Sequence, residues 1–197
     1  MKSIKELTTY QWEIKKSTFI TTLIPCDDEQ KAKEIIAKHQ EKYHDATHNC
    51  VAYIINNSMR FDDDGEPNKT AGMPMLNVLQ KQELTNIIAI VTRYFGGIKL
   101  GAGGLTRAYT RSVSDAIKEA TIIEKQLVPR YLITVEYHFA NKIEHLLNSR
   151  NVPIIAKDYG NDVTFECHIK DPALLDEIQN YTNNNYLAEF VQEDYIE

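Results

Sequence analysis

The segment Asn86–Arg111, NIIAIVTRYFGGIKLGAGGLTRAYTR, limits the fold more than any other part of the chain. It opens with an unbroken apolar run, Ile87–Val91, of the length and β-branched content of a buried strand. It closes with Leu105, Ala108, Tyr109, Ser112, Ala116 and Ala120 at helical spacing. Between them lie Gly96, Gly97, Gly101, Gly103 and Gly104. A strand, a glycine-rich turn and a helix start aim several backbone N–H groups at one point. That geometry favours an anion, because unpaired amides and the helix dipole act together. One small positive hollow is therefore expected near Gly101, with Arg93, Lys99 and Arg107 as side-chain donors and Arg111 close by. The competing reading gives the glycines a purely structural role in a tight connection.

Two nucleotide motifs fail at the same loop. Gly96 and Gly101 have the spacing of a Walker A loop, but Ala102 stands where its lysine belongs. Gly101 and Gly103 open a dinucleotide fingerprint, but Thr106 replaces its third glycine. No cofactor is expected.

Length and composition set the outer bounds. A chain of 197 residues, 43% apolar, holds one large domain or two small ones. No apolar run approaches the roughly 18–20 residues that cross a bilayer, and the N-terminus lacks a signal-peptide core, so no membrane contact and a cytoplasmic location are expected. Cys26, Cys50 and Cys167 form no C-x-x-C pair, which fits a reducing compartment. The net charge of −6 is uneven: residues 1–128 carry +1 and residues 129–197 carry −7. Any contact with nucleic acid is expected through the first part, and the acidic second part is a candidate docking surface for a protein.

Along the chain, Tyr10–Pro25 reads as two strands about the polar bend at Lys15–Thr18, and Asp27 or Asp28 caps a helix over residues 29–43. Val51–Ile55 is a strand, and a helix starts around Thr70–Pro74. Val128–Pro129–Arg130 marks a boundary between domains 1–128 and 129–197. Beyond it come a strand over 131–139, a helix over 142–150, a hairpin over 152–169, a helix over 172–181 and a strand over 186–191. The order βαββαβ is the ferredoxin-like plan. Ile133, Val135 and Tyr137 would share one sheet face with Val163, Phe165 and Cys167, leaving Thr134, Glu136, His138, Thr164, Glu166 and His168 on the other. That second face lacks the aromatic and basic groups of an RNA-binding sheet.

Chemistry beyond the glycine loop centres on RFDDDGEPNK, residues 60–69. It is either a solvated turn at Asp64–Gly65 or a carboxylate group held against a cation, Mg²⁺ or the guanidiniums of the glycine segment. His44, His48 and Cys50 lack a fourth ligand at zinc spacing, and no metal is expected. No G-x-S-x-G elbow or H-E-x-x-H occurs. The enzyme reading therefore rests on His48 with Asp63, Asp64 and Glu66 as acid/base candidates.

His48–Asn–Cys50, Asp63–Asp–Gly–Glu–Pro67, Thr70–Ala–Gly–Met–Pro–Met–Leu76 and the block Val91–Gly104 resemble the signature blocks of the IMPACT family, whose bacterial branch comprises the YigZ-like proteins. The resemblance implies an N-terminal α/β domain with a ribosomal-protein fold related to RNase PH. It implies a C-terminal domain similar to the last ferredoxin-like domains of elongation factor G. Eukaryotic members regulate translation in nutrient stress through an additional N-terminal domain, whereas this chain enters the family domain almost at once. The reading favoured is an α+β, two-domain binding protein linked to translation. It would engage RNA phosphate, a ribosome-associated component or another anion through Arg93, Gly96, Gly97, Lys99, Gly101, Gly103, Gly104 and Arg107. The alternative is an enzyme acting on a small anionic substrate.

Overall fold

The computed structural model describes residues 1–196. The chain divides into two compact units, Met1–Glu124 and a second from Lys125 on. In the first, β1 (Lys2–Ile4), β2 (Thr8–Ile14), β3 (Ser17–Pro25), α1 (Glu29–Lys42), β4 (His48–Ile55), β5 (Ser58–Asp62), α2 (Gly72–Lys81), β6 (Ile87–Tyr94), α3 (Ala102–Glu119) and β7 (Ile122–Glu124) follow in order. Five strands make an antiparallel sheet in the order β2-β3-β6-β4-β5, while β1 and β7 pair with each other.

The apolar run is β6, the middle strand of that sheet. Side chains alternate across the pleat. Ile87, Ala89 and Val91 enter the main core with Phe19, Met75 and Tyr109. Ile88 and Ile90 enter a smaller core with Ala32, Val51 and Tyr53. Because helices cover both faces, the strand is apolar at every position rather than at every second one. The same alternation decides the site: Arg93 continues the Val91 face, towards α2 and α3, and the cross-strand partner of Arg93 is His48. On the α1 face, Thr92 donates to Asn49 Oδ1 at 2.7 Å and so accepts from His39 Nε2 at 2.9 Å.

The second unit contains β8 (Gln126–Val135), α4 (Tyr137–Ser149), β9 (Ile154–Tyr159), β10 (Val163–His168), α5 (Ala173–Tyr181) and β11 (Tyr186–Ile196). Its antiparallel sheet has the order β11-β8-β10-β9, the split βαβ arrangement. Ile133, Val135, Val163, Phe165 and Cys167 pack with Ile143, Leu147 and Ile178 of the two helices. The fold class is the expected one: α+β, with an α/β first unit and a ferredoxin-like second unit.

Three local expectations change. Tyr137, His138 and Phe139 open α4 instead of ending β8. Their alternation imitates a strand, but Ala140, Ile143 and Leu147 set a helical stripe that claims the preceding turn. β5 forms where a loop was expected from Arg60, as a short edge strand in which Met59, Arg60, Phe61 and Asp62 are all exposed. The division between units falls at Glu124/Lys125, so Val128–Pro129–Arg130 lies inside β8. Pro129 sits there without cost because the β10 ladder ends at Arg130 and β8 continues with β11 alone. Among the described residues no helix is long and apolar enough to cross a membrane.

Candidate functional site

The acidic loop is neither a solvated tip nor a metal cradle. Asp63 Oδ1 accepts from the amides of Ala71 and Gly72 at 3.0 and 2.8 Å, and Oδ2 from Lys69 at 2.7 Å. Asp63 thus satisfies the amides that open α2, a capping role taken by a residue distant in sequence. Asp64 Oδ2 accepts from the Asn49 amide at 2.5 Å, and Asp62 Oδ1 from the Asp64 amide at 2.9 Å. The loop therefore folds on its own carboxylates, and Asp63 and Asp64 are engaged by backbone amides rather than free for acid/base work. Among the described residues no group of three His, Cys, Asp or Glu side chains is placed to hold a metal.

Glu66 is the acid that this loop delivers inward, 8% exposed. Its Oε1 accepts from Arg93 Nη1 at 2.5 Å and from Tyr109 Oη at 2.8 Å. Burial pushes the Tyr109 phenol and the Cys50 thiol up, so both stay protonated and act as donors. Cys50 Sγ donates to the Asp63 carbonyl at 3.0 Å. Arg93 is 4% exposed, lies between the rings of Phe19 and Phe95, and reaches Ser17 Oγ at 3.5 Å; its Nε has no partner. A buried pair of this kind is stable only while both members remain, since either charge alone faces the full desolvation penalty.

His48 completes the cluster. Its Nδ1 lies 2.7 Å from the Asp64 carbonyl, which only accepts, so Nδ1 carries the proton. In the neutral ring Nε2 then presents a lone pair, 3.8 Å from Glu66 Oε2, which is beyond hydrogen-bond length.

The glycine loop holds backbone geometry that other residues cannot adopt. A Cβ on Gly96 would lie 1.9 Å from the Lys16 carbonyl oxygen, and the Gly96 amide donates to Ser17 Oγ at 3.2 Å. Gly101, with φ of 72°, turns the chain into α3. The amides of Ala102, Gly103 and Gly104 find no acceptor in the protein, and no acid stands in the first turn.

The single hollow expected from the sequence is instead two, and the guanidiniums of Arg93 and Arg107 belong to different ones. One, the Glu66 hollow, of about 370 Å³ is lined by Thr47, His48, Glu66, Pro67, Arg93, Phe95, Lys99, Leu100, Gly101, Ala102 and Leu105. The other, the Trp12 hollow, of about 260 Å³ is lined by Trp12, Ile14, Lys15, Leu100, Gly104, Arg107, Ala108 and Arg111. Helical spacing makes the division: Ala102 and Leu105 lie on one side of α3, and Gly104, Arg107, Ala108 and Arg111 on the other. Gly103 lies beside the Arg107 guanidinium, with 3.6 Å between Nη1 and an added Cβ, and Gly97 lines neither hollow.

Several participants carry no sequence signal for this place. Trp12 donates Nε1–H to Ser112 Oγ at 2.7 Å and lies under the Arg111 guanidinium, 4.3 Å from the ring centre. Lys15 and Lys16 form the two-residue turn between β2 and β3 with φ of 46° and 63°, values that non-glycine residues seldom take. An Asn–Gly pair would make that turn with less strain, so two lysines there are the one local hint. Tyr109 reads as a core residue, and its hydroxyl contact with Glu66 depends on a helix and a loop meeting in space.

The Impact N-terminal domain family model matches residues 15–117, which include every residue lining the Glu66 hollow and all those lining the Trp12 hollow except Trp12 and Ile14. The chain belongs to the IMPACT family. IMPACT family member YvyE of Bacillus subtilis (strain 168) is 41% identical over 172 residues, covering 86% of this chain and 79% of that protein. IMPACT family member YigZ of Escherichia coli (strain K12) is 41% identical over 152 residues, 75% of this chain and 74% of the relative. A solved structure, described as the crystal structure of an hypothetical protein, is 33% identical, covers 98% of both chains and superposes with a TM-score of 0.70. The signature blocks of the IMPACT chain thus supply both hollows: His48, Glu66, Pro67, Arg93, Phe95, Lys99, Gly101 and Ala102 line the Glu66 hollow, Gly104 lines the Trp12 hollow, and Leu100 lines both.

Proposed function

We propose that this IMPACT family member is a binding protein linked to translation that holds RNA phosphate in the Trp12 hollow beside α3. The observation that carries the reading is the Arg111 guanidinium stacked on Trp12, with Arg107 and Lys15 on the same hollow. Guanidiniums serve phosphate through a planar fork and serve unstacked bases through their faces. Asp115 offsets part of the charge by pairing with Arg111 at 3.0 Å and Lys118 at 2.6 Å, so the patch is moderately rather than strongly basic. Arg93 has no place in such a contact, since its charge is buried against Glu66. Titration of an unstructured RNA at several salt concentrations tests the reading. The double variant Arg107→Ala, Arg111→Ala should weaken binding alike for unrelated sequences. It should also reduce the slope of log affinity against log salt by about 1.4, at ~0.7 per lost single-strand contact. An unchanged affinity and slope would overturn it.

A further inference from the structure

The Glu66 hollow carries a chemical demand that the fold itself does not meet. The Glu66 side chain is 3% exposed, and its two oxygens differ. Oε1 accepts from Arg93 and Tyr109, whereas among the described residues no donor bonds Oε2. Beside it His48, in its neutral form, presents the Nε2 lone pair, because Nδ1–H is committed to the Asp64 carbonyl. The two atoms lie 3.8 Å apart and both accept, so neither satisfies the other. Neither is sealed from solvent as Arg93 Nε is, and both residues line the hollow. A carboxylate oxygen on so buried a side chain is costly to leave unpaired, and the pair suits a ligand with two neighbouring donors.

Three further features narrow the ligand. Glu66 is already charge-compensated by Arg93, and the exposed Lys99 adds a cation, so neutral donors suit the hollow better than cationic ones. The Phe95 ring has the Arg93 guanidinium over it and is still 45% exposed, which leaves aromatic surface for a flat ring. Lys99 supplies a donor for a carbonyl beside that ring. A flat neutral ring with two adjacent N–H donors next to a carbonyl is the Watson–Crick edge of guanine: N1–H, the 2-amino group and O6. Adenine and cytosine set a ring-nitrogen lone pair beside their one amino group, and uracil flanks its one N–H with carbonyls. Each of those three turns a lone pair towards one of the two acceptors. At about 370 Å³ the hollow has the size of a small-ligand pocket, and it meets the Trp12 hollow at Leu100. A base and a backbone phosphate of one strand thus have neighbouring places.

We propose that the Glu66 hollow receives an unstacked guanine of single-stranded RNA. N1–H and the 2-amino group donate to Glu66 Oε2 and His48 Nε2, O6 faces Lys99, and the ring lies against Phe95. That the guanine belongs to RNA rests on the reading above; that the hollow selects guanine is tested without RNA.

The full chain is titrated with guanosine, inosine and adenosine 5′-monophosphates by calorimetry, with the His48 ring followed by NMR. Inosine differs from guanosine only in lacking the 2-amino group. The guanosine nucleotide should shift the His48 ring saturably and bind about tenfold tighter than the inosine one, the value of a hydrogen bond lost from a buried or charged acceptor. The adenosine nucleotide should be weaker again. His48→Ala should shrink the preference for guanosine over adenosine about tenfold without weakening adenosine, whereas a merely structural role would lower both alike. Phe95→Ala should weaken all three about fivefold or more. Arg107→Ala, Arg111→Ala should keep the order of the three. In a short oligouridine, one guanine should raise affinity about tenfold or more and one adenine should not. Equal affinity for the three nucleotides, or an unmoved His48 ring, would overturn the guanine site even if every RNA binds. Guanosine preference without binding of any oligonucleotide would overturn RNA as the source of the base, together with the reading above. A preference lost in the Arg107/Arg111 variant would overturn the placement of the base in the Glu66 hollow.

Discussion

The two hollows flanking α3 share Leu100 and little else. The Glu66 hollow is assembled from a loop, two strands and a helix start, and it contains the buried Glu66–Arg93 pair. The Trp12 hollow carries its cations, Lys15, Arg107 and Arg111, at the surface. One glycine-rich loop serves both, so its composition alone does not reveal which side does what. The lesson is that a buried charge near a loop of this kind belongs to the fold as much as to function, whereas an exposed one is free to serve function alone.

The largest effect that would break this contrast is at Glu66–Arg93. Glu66→Ala or Arg93→Ala leaves the other charge buried without its partner and should cost about 3–5 kcal/mol in urea unfolding. The double replacement should cost less than the sum of the two singles. Additive costs would mean that the pair is not a unit and that the Glu66 hollow lacks its foundation.

Next comes the loop itself. Gly96→Ala forces a Cβ against the Lys16 carbonyl, a backbone atom with little room to move, and should destabilise by about 1–3 kcal/mol. Gly103→Ala meets only the flexible end of Arg107 at 3.6 Å, so helix propensity dominates and the protein should gain about 0.5–1 kcal/mol. Opposite signs at two glycines seven residues apart would show that one serves close approach and the other an open helix start.

A histidine on the other face of the sheet sharpens the contrast through pH. His39, on α1, donates to Thr92 and has its pKa lowered to about 4, mainly by burial. The unfolded chain then takes up more protons than the folded one between about pH 6.5 and 4. Stability is full above that window and falls as pH drops through it. His39→Gln keeps a donor without titrating, so its unfolding midpoint should change less between pH 7 and pH 5 than that of the parent chain. An identical pH dependence in the two proteins would move the titration elsewhere.

How far the sequence foretold this can be read residue by residue. β6 and α3 are legible because a doubly buried strand and an amphipathic helix each impose a period on their own residues. The pairing of His48 with Arg93 is not, because a strand's own sequence says nothing of which neighbour it joins. Asp63, Asp64 and Glu66 look alike in a row of acids. Only the fold separates the two that bind backbone amides from the one that turns inward to Arg93. Trp12 is the hardest case: its partners Arg111 and Ser112 lie about a hundred residues away, and nothing in TTYQWEI marks it as more than a strand residue.

The smallest expected effect on stability sits at the Trp12 hollow. Arg107 is exposed, and Arg111 combines an exposed ion pair with Asp115 and a stack on Trp12. An exposed pair contributes about 0–1 kcal/mol and surface cation–π stacking about 0.5–1. Removing Arg111 also leaves Asp115 its second partner, Lys118. Arg107→Ala and Arg111→Ala together should therefore lower the unfolding free energy measured in urea by no more than about 1 kcal/mol, with most of that loss from Arg111. A loss as large as that at Glu66 or Arg93 would place these arginines in the framework of the first unit. Any accompanying loss of RNA affinity would then reflect unfolding, and the Trp12 hollow would no longer stand apart from the Glu66 hollow.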